Sequence, residues 1–169
     1  LVSELGAALI KGYQGGDTID DVHVASCLKH FVGYSGTKSG RDRTPAWIPK
    51  KYMRELYMPS FKKAVDEGAL TVMINSGVVN GVPGHRNYHL LTEVLKEEWG
   101  FKGFVVSDWE DFIMLHTVHR TDSSLSDAVI SAFNAGVDMF MVPLSPQYKV
   151  YCESMVQALK DGRITQRRL

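Results

Sequence analysis

The sequence predicts an α/β fold built from parallel strands, each followed by a helix. Three observations carry this. Short, nearly continuous apolar runs recur along the chain, as in strands covered on both faces. Between them lie segments with apolar residues at helical spacing. Polar residues collect at the C-terminal ends of the first three runs, where parallel sheets place their functional groups. A closed eight-stranded barrel takes about 250 residues. About four βα units in 169 residues therefore correspond to a partial (β/α)8 barrel of the TIM type, with residues 1–169 forming part of one domain. An open four-stranded sheet is the other arrangement.

Each element has its own signal. Leu1-Val2-Ser3-Glu4-Leu5 reads like the middle of a leading helix. The chain is therefore expected to begin inside a larger protein, and the compartment stays open. Val22 to Phe31 is the first strand-like run. A polar, Gly-rich loop follows, from Gly33 to about Ile48. The next helix sets Met53, Leu56, Tyr57, Phe61, Ala64 and Val65 on one face. Pro59 should kink or break it, and Gly68 is its stop signal. Leu70 to Asn75 is the second strand, followed by the turn signals Asn80-Gly81 and Pro83-Gly84. A helix then turns Leu90, Leu91, Val94 and Leu95 inward and ends near Gly100. Phe104 to Ser107 is the third strand. The third helix carries Leu125, Ala128, Val129, Ala132 and Phe133 inward, with Ser124 as N-cap and Gly136 at its end. Val137 to Val142 is the fourth strand. The fourth helix runs from about Gln147 to Lys160, stopped by Gly162.

Composition narrows the function classes. Lys+Arg and Asp+Glu are 19 each, so the formal charge is zero. Nucleic-acid binders usually leave a basic footprint, and none is present. No apolar run is long enough to span a membrane. The first residues show no basic segment followed by an apolar one, so no signal peptide is visible. Cys27 and Cys152 read as two buried thiols rather than a disulfide. No cofactor motif is present: Gly33-Tyr34-Ser35-Gly36 does not fit the dinucleotide fingerprint. No metal is expected either. His85 and His89, and His116 and His119, lack the His-Glu-x-x-His arrangement. Asp111 lies near the second pair, but three or four converging ligands are needed.

The chemistry concentrates in Gly103-Phe104-Val105-Val106-Ser107-Asp108-Trp109. An apolar strand ends there in an acid beside an aromatic. A carboxylate so placed can attack or stabilise an oxocarbenium-like centre. An indole beside it can stack on the apolar face of a pyranose. Lys29 and His30 close the first strand, and Asn75 and Ser76 the second. Plainer readings exist for each. Asp108 can cap a helix beginning near Trp109, Trp109 can pack in a core, Lys29 can be solvated, and His30 can be a core histidine. The loop Ser39-Gly40-Arg41-Asp42-Arg43 can be a solvated turn. It can also hold ligand hydroxyls through Arg41 and Asp42.

Taken in order, these segments resemble glycoside hydrolase family 3, the β-glucosidase and exo-glucanase family. Lys29-His30-Phe31-Val32-Gly33-Tyr34 is similar to its Lys-His-Phe strand end. Arg54-Glu55-Leu56-Tyr57-Met58-Pro59-Ser60-Phe61 is similar to the following helix. Val72-Met73-Ile74-Asn75-Ser76 through Asn80-Gly81-Val82-Pro83 resembles the next strand and loop. Leu90-Leu91-Thr92 through Trp99-Gly100-Phe101-Lys102-Gly103 leads into Val106-Ser107-Asp108-Trp109, which matches the nucleophile signature. Ala135-Gly136-Val137-Asp138-Met139 and Asp161-Gly162-Arg163-Ile164 resemble the segments that follow. The match runs along nearly the whole chain.

The resemblance implies a retaining β-glucosidase with Asp108 as nucleophile. Lys29 and His30 would bind hydroxyls of the first sugar, Met73 would line the pocket, and Trp109 would stack at the neighbouring subsite. Cationic Lys29 would favour an ionised Asp108. The implied partners are a β-linked glucoside or oligosaccharide and the rest of a parent enzyme, often periplasmic or secreted. Many members carry Ser-Tyr where this chain has Asn75-Ser76, so Ser76 inherits the position and not the chemistry. The N-acetylglucosaminidase branch carries an Asp-x-His loop after Lys-His-Phe, and Gly36 to Ile48 contains no His. That favours the branch whose acid/base Glu lies in a following domain, outside this chain. A catalytically silent carbohydrate-binding or scaffold member is the alternative. A phosphate-binding lyase would need a Gly-rich loop after the last strands, and Val142-Pro143-Leu144-Ser145 does not supply one. Half a barrel exposes a parallel edge, so the isolated chain is expected to be neither stable nor active alone.

Overall fold

The computed structural model describes residues 1–16, 19–143 and 146–169. Helix α1 (Val2–Gln14) leads into strand β1 (Cys27–Phe31). Helix α2 (Lys50–Tyr52), a π-helical turn (Met53–Tyr57) and helix α3 (Pro59–Asp66) return the chain to strand β2 (Thr71–Ile74). Strands β3 (Val78–Val79) and β4 (Val82–Pro83) form a small hairpin, followed by a π-helical segment, His89–Glu98. Strand β5 (Phe104–Val106) precedes α4 (Met114–Thr117), α5 (Leu125–Ala135) and α6 (Tyr148–Lys160).

The main sheet is three-stranded and parallel, in the order β1-β2-β5. Leu28 stands opposite Val72, and Val72 opposite Val105. Helices and the sheet enclose one main core of Phe31, Val72, Ile74, Leu91, Leu95, Val105, Phe112, Leu115 and Val129. Phe31 meets Phe61 and Trp99 edge-on, at 5.3 and 5.7 Å between ring centres. Such aromatic pairs add to what area burial alone contributes.

The architecture is α/β and parallel as expected, but the sheet is shorter than a four-stranded partial barrel. The Val137–Val142 segment joins β5 through a single parallel bridge, Val106 to Met139. Backbone bonds accompany it, Met139 N–H to Val105 C=O at 3.0 Å and Ser107 N–H to Met139 C=O at 2.9 Å, and two side chains add to them. Asp138 accepts from the Val105 N–H at 2.9 Å. Ser107 Oγ accepts from the Met141 N–H at 2.8 Å.

The first strand also begins later than Val22. The Val24 N–H donates to Tyr13 C=O at 2.8 Å, so this stretch is tied to the end of α1 rather than to the sheet. Val22 and Val24 are exposed. The tie runs through buried Gln14. Its Oε1 accepts from Ser26 N–H and Oγ at 3.1 and 2.7 Å, and its Nε2 donates to Gly68 C=O at 2.9 Å. One amide thus fixes α1, the start of β1 and the end of α3 together.

Leu56, expected on the inward face, is 70% exposed. The cause is the π-helical turn, in which the Met58 N–H bonds Met53 C=O at 3.0 Å. The i→i+5 bond inserts an extra residue per turn and rotates Leu56 off the apolar face. Met53 and Ala64 remain buried. Pro59 ends this turn and opens α3 at its first position, where its missing N–H costs nothing. Both cysteines are exposed and free, not buried thiols. Cys27 starts the outer strand, and Cys152 lies on the outer side of α6.

Other expectations hold. Leu90, Leu91, Val94 and Leu95 are buried. Ser124 caps α5, its side chain accepting from the Asp127 N–H at 3.1 Å. No helix among the described residues is long and apolar enough to cross a membrane. Of the segment Val142-Pro143-Leu144-Ser145, Leu144 and Ser145 lie outside the described residues.

The hairpin fixes the loop above the sheet. Asn80 and Gly81 both have positive φ, 51° and 85°, the geometry of a type I′ turn. The Ala46 N–H donates to Val78 C=O, and Ala46 C=O accepts from Asn80 N–H. The Asn80 side chain bonds the N–H and C=O of Ile48 at 2.7 and 2.8 Å. Gly84 follows at a close crossing: a Cβ there would lie 1.9 Å from the Asn75 carbonyl oxygen.

At the C-terminal end, Asp138 receives Lys96 Nζ at 2.7 Å on both oxygens and Arg168 Nη2 at 3.0 Å. Burial pulls the Lys96 ammonium below the usual lysine range. The Arg168 guanidinium also lies 4.1 Å over the Phe133 ring. Asp138→Ala leaves a partly buried lysine and the Val105 N–H without this acceptor. It should destabilise the protein by about 2–3 kcal/mol, somewhat less than a fully buried pair. The midpoint of thermal unfolding checks this, and an unchanged midpoint would remove the cluster from the list of stabilising contacts.

Candidate active site

The C-terminal ends of β1, β2 and β5 lie side by side because the strands are parallel, with one shift of register in β1 between Leu28 and Phe31. The chain leaving β5 passes fully buried Ser107 and reaches Asp108. The Asp108 N–H donates to His85 Nε2 at 3.3 Å. Its Oδ1 accepts from the Trp109 N–H at 2.7 Å. The helical turn that follows starts at Asp111, with Glu110 at its cap position. Asp108 is therefore not a helix cap.

Oδ2 of Asp108 is where the polar groups converge. Ser76 Oγ donates to it at 3.2 Å. His30 Nε2 stands at 3.5 Å and Arg43 Nη2 at 3.7 Å. Burial holds the His30 imidazole below the usual histidine range, against the pull of the Asp108 charge. His30 is thus a neutral hydrogen-bonding group near pH 7. The Tyr34 ring lies 4.9 Å from the His30 ring. The Asp42 charge, with a hydrogen bond to Asp42, pushes the Tyr34 hydroxyl above the usual tyrosine range.

The remaining residues singled out in the sequence are placed as follows. Trp109 is 50% exposed beside Asp108, so it is not core packing. Met73 is half-buried on β2, opposite Val106. Lys29 is exposed and lines a groove of about 440 Å³ with Ile10, Phe61 and Ala64, under α1. It makes no ion pair with Asp108. Arg41 is exposed, and its carbonyl accepts from Thr44 Oγ1 at 2.7 Å. Asp42 is exposed and paired with Arg43.

Arg43, not Arg41, is the arginine that reaches the carboxylate. Its backbone has φ 57°, a conformation uncommon for a side-chain-bearing residue. The sequence offered two arginines in one loop. The hairpin contact that selects between them lies more than thirty residues away, at Asn80. Asp111 was also hidden, since its partner is Arg43, at 2.7 Å across the site. In the sequence, His85 stands out only by its spacing from His89, as a candidate metal ligand. It is a buried acceptor for the Asp108 N–H, and burial holds its imidazole down at about 3. Among the described residues, no three His, Cys, Asp or Glu side chains gather as a metal-ligand set.

This geometry can do one kind of chemistry well. A carboxylate with one oxygen fixed by backbone and the other facing neutral and cationic donors can act as an oriented nucleophile or charge stabiliser. The half-exposed indole beside it offers a stacking face.

Comparison with known proteins agrees in scope. The family model described as "Glycosyl hydrolase family 3 N terminal domain" matches residues 1–169. A lysosomal beta glucosidase of Dictyostelium discoideum is 44% identical over all of this chain and 21% of its own length. A periplasmic beta-glucosidase of Salmonella typhimurium is 33% identical over 98% of this chain and 21% of its own. A beta-glucosidase of Listeria innocua, solved with isofagomine, superposes with a TM-score of 0.90 at 28% identity, covering 98% of this chain and 23% of that one. The chain spans about a fifth of the length of these relatives.

The buried His85 carries a pH prediction. Its folded value, about 3, lies below the ordinary 6.5. The unfolded chain therefore binds the proton more readily, so this contribution to stability is complete above 6.5 and is lost as pH falls from 6.5 toward 3. The slope approaches about 1.4 kcal/mol per pH unit for one such group. His85→Gln, which does not titrate, should flatten that part of the stability profile in the full-length protein. Denaturant midpoints between pH 7 and pH 4 test it, and parallel profiles for the two proteins would show that His85 does not carry the slope.

Proposed function

Because the chain belongs to the N-terminal domains of glycosyl hydrolase family 3, we propose that it carries the nucleophile of an enzyme hydrolysing terminal β-D-glucosidic bonds in β-glucosides or β-glucans. The observation that carries this reading is the placement of Asp108. It stands just past the C-terminal end of parallel strand β5, Oδ2 facing Ser76, His30 and Arg43, with exposed Trp109 adjacent. Names of relatives, beta-glucosidases and an exo-1,3/1,4-beta-glucanase, support the substrate class.

The mechanism is a retaining double displacement. Ionised Asp108 attacks the anomeric carbon as the bond to the leaving oxygen breaks, giving a glycosyl ester on Asp108. A general acid supplies a proton to the leaving oxygen, in a carboxyl pair roughly 5–5.5 Å apart. That acid is assigned to a segment outside these 169 residues. Water then attacks the same carbon and gives its proton back to the deprotonated general acid, the sugar leaves with retained configuration, and Asp108 is released as carboxylate.

Neutral His30 and the Lys29 ammonium are the proposed partners of the sugar hydroxyls. The Ser76 hydroxyl holds Asp108 Oδ2 and borders the same space, and Met73 lines it. Trp109 stacks on the sugar of the neighbouring subsite. Arg41 and Asp42 are placed for hydroxyls further out on the loop, and no cofactor is assigned.

The test is covalent capture on the full-length protein. A 2-deoxy-2-fluoro-β-glucoside with a dinitrophenyl leaving group needs little acid assistance, so it isolates the nucleophile. Intact mass and peptide mapping should find one glycosyl adduct, on the peptide containing Asp108. Asp108→Asn should lose both labelling and turnover while unfolding at the wild-type temperature. An adduct on another residue, or an Asp108→Asn enzyme near the wild-type rate, would falsify the assignment. No adduct and no turnover, beside a labelled control enzyme, would favour the silent carbohydrate-binding member.

A further inference from the structure

The cation nearest to Asp108 forms only a long ion pair with it and gives its hydrogen bonds elsewhere. Arg43 gives its Nε and Nη2 to Asp111 Oδ2, at 2.8 and 2.7 Å. Its Nη1 goes to Asp42. The same Nη2 stands 3.7 Å from Asp108 Oδ2, which is beyond hydrogen-bond range. Asp111 is only 9% exposed, so its pair with Arg43 is largely shielded from water.

Both sides of this contact are held by backbone. Arg43 hangs from the loop that the β3–β4 hairpin pins at Ala46 and Ile48. Asp111 follows Glu110, whose left-handed φ of 53° turns the chain back over the site. The Glu110 N–H is fixed to Met141 C=O at 3.0 Å.

We propose that Asp111 is a positioning residue that holds the Arg43 guanidinium one step away from the nucleophile. The inference rests on Asp108 being the nucleophile. Arg and carboxylate form strong two-point pairs whenever geometry allows. Without Asp111, the guanidinium has a second carboxylate within a small rotation, at Asp108. Direct pairing there would occupy the attacking oxygen and lower its basicity. Removing the negative charge of Asp111 acts in the same direction, because a like charge nearby raises a carboxylate's proton affinity.

The charged and titratable groups around Asp108 are on several elements. His30 faces it from β1, with Lys29 beside His30. Arg43, Asp42 and Tyr34 face it from the loop. His85 faces it from beneath, and His119 stands within electrostatic reach of Asp111. Asp111→Asn alters the charge and the anchor of Arg43 together and leaves the others in place.

The experiment measures kcat/KM for dinitrophenyl β-glucoside against pH, in the full-length wild-type protein, Asp111→Asn, Arg43→Ala and the double variant. Asp111→Asn should lower the rate by up to about 10²-fold, the scale of a misplaced active-site group. Its acid limb should move to lower pH by about one unit. In the Arg43→Ala background, the same substitution should change the rate by only a few-fold, because residues acting as one unit are non-additive. A purely structural role lowers the unfolding temperature and leaves the limb in place. An unmoved or raised limb, or fully additive effects, overturns the proposal. If Asp111→Asn does not fold, Asp111→Glu replaces it: its longer arm pushes Arg43 toward Asp108, and an unmoved limb again overturns the role. A wild-type protein that turns over no β-glucoside overturns the reading of the site, and this role with it. An active wild type with unmoved limbs overturns the role of Asp111 alone.

Discussion

The pairing of Val72 with Leu28 on one side and Val105 on the other brings the strand-end groups His30, Ser76 and Asp108 to one end of the sheet. In a parallel sheet a shift of one residue would turn each side chain to the opposite face. Val72 and Val105 are fully buried, so such a shift would expose apolar area and bury polar groups in exchange. The register is therefore set by the core, and the site inherits it. His30, Ser76 and Asp108 come level because three strand ends come level. The π-helical crossovers, the hairpin and the loop then add detail to a platform already fixed.

Around this apolar register the chain solves its polar problems with single side chains. Gln14 satisfies the start of β1 and the end of α3. Asp138 satisfies the Val105 N–H and two cations. His85 satisfies the Asp108 N–H. Each supplies a partner to a backbone group at the end of an element, and buried backbone groups need one. The same side chains orient what lies beyond the strand ends.

What the sequence made legible follows the reach of its signals. The apolar runs at Leu70–Asn75 and Phe104–Ser107, the inward face of His89–Glu98, the Ser124 cap and the Asn80-Gly81 turn depend on neighbours within a few residues, and they were readable. The late start of β1 depends on Gln14, twelve residues before Ser26. The exposure of Leu56 depends on a π-helical turn, which has no propensity signature at the level of single residues. Cys27 read as interior because its strand is apolar, and the edge position that exposes it is a property of the sheet. At the candidate site, the strand-end residues were visible as a pattern. Arg43, Asp111 and the role of His85 were not, because each is defined by a partner 23 to 68 residues away.

The two oxygens of Asp108 face different surroundings, one a backbone N–H and the other Ser76, His30 and Arg43. A free carboxylate has a twofold symmetry, and a half-turn about its terminal bond returns an identical state. The half-turn therefore leaves every contact of Asp108 as it was, and what the partners on both sides restrict is the range of angles in between. The side chain is left with one preferred orientation, whose entropy is surrendered when the protein folds and not when a sugar arrives. A group frozen in this way behaves less like a solvated acid and more like a fixed part of the scaffold.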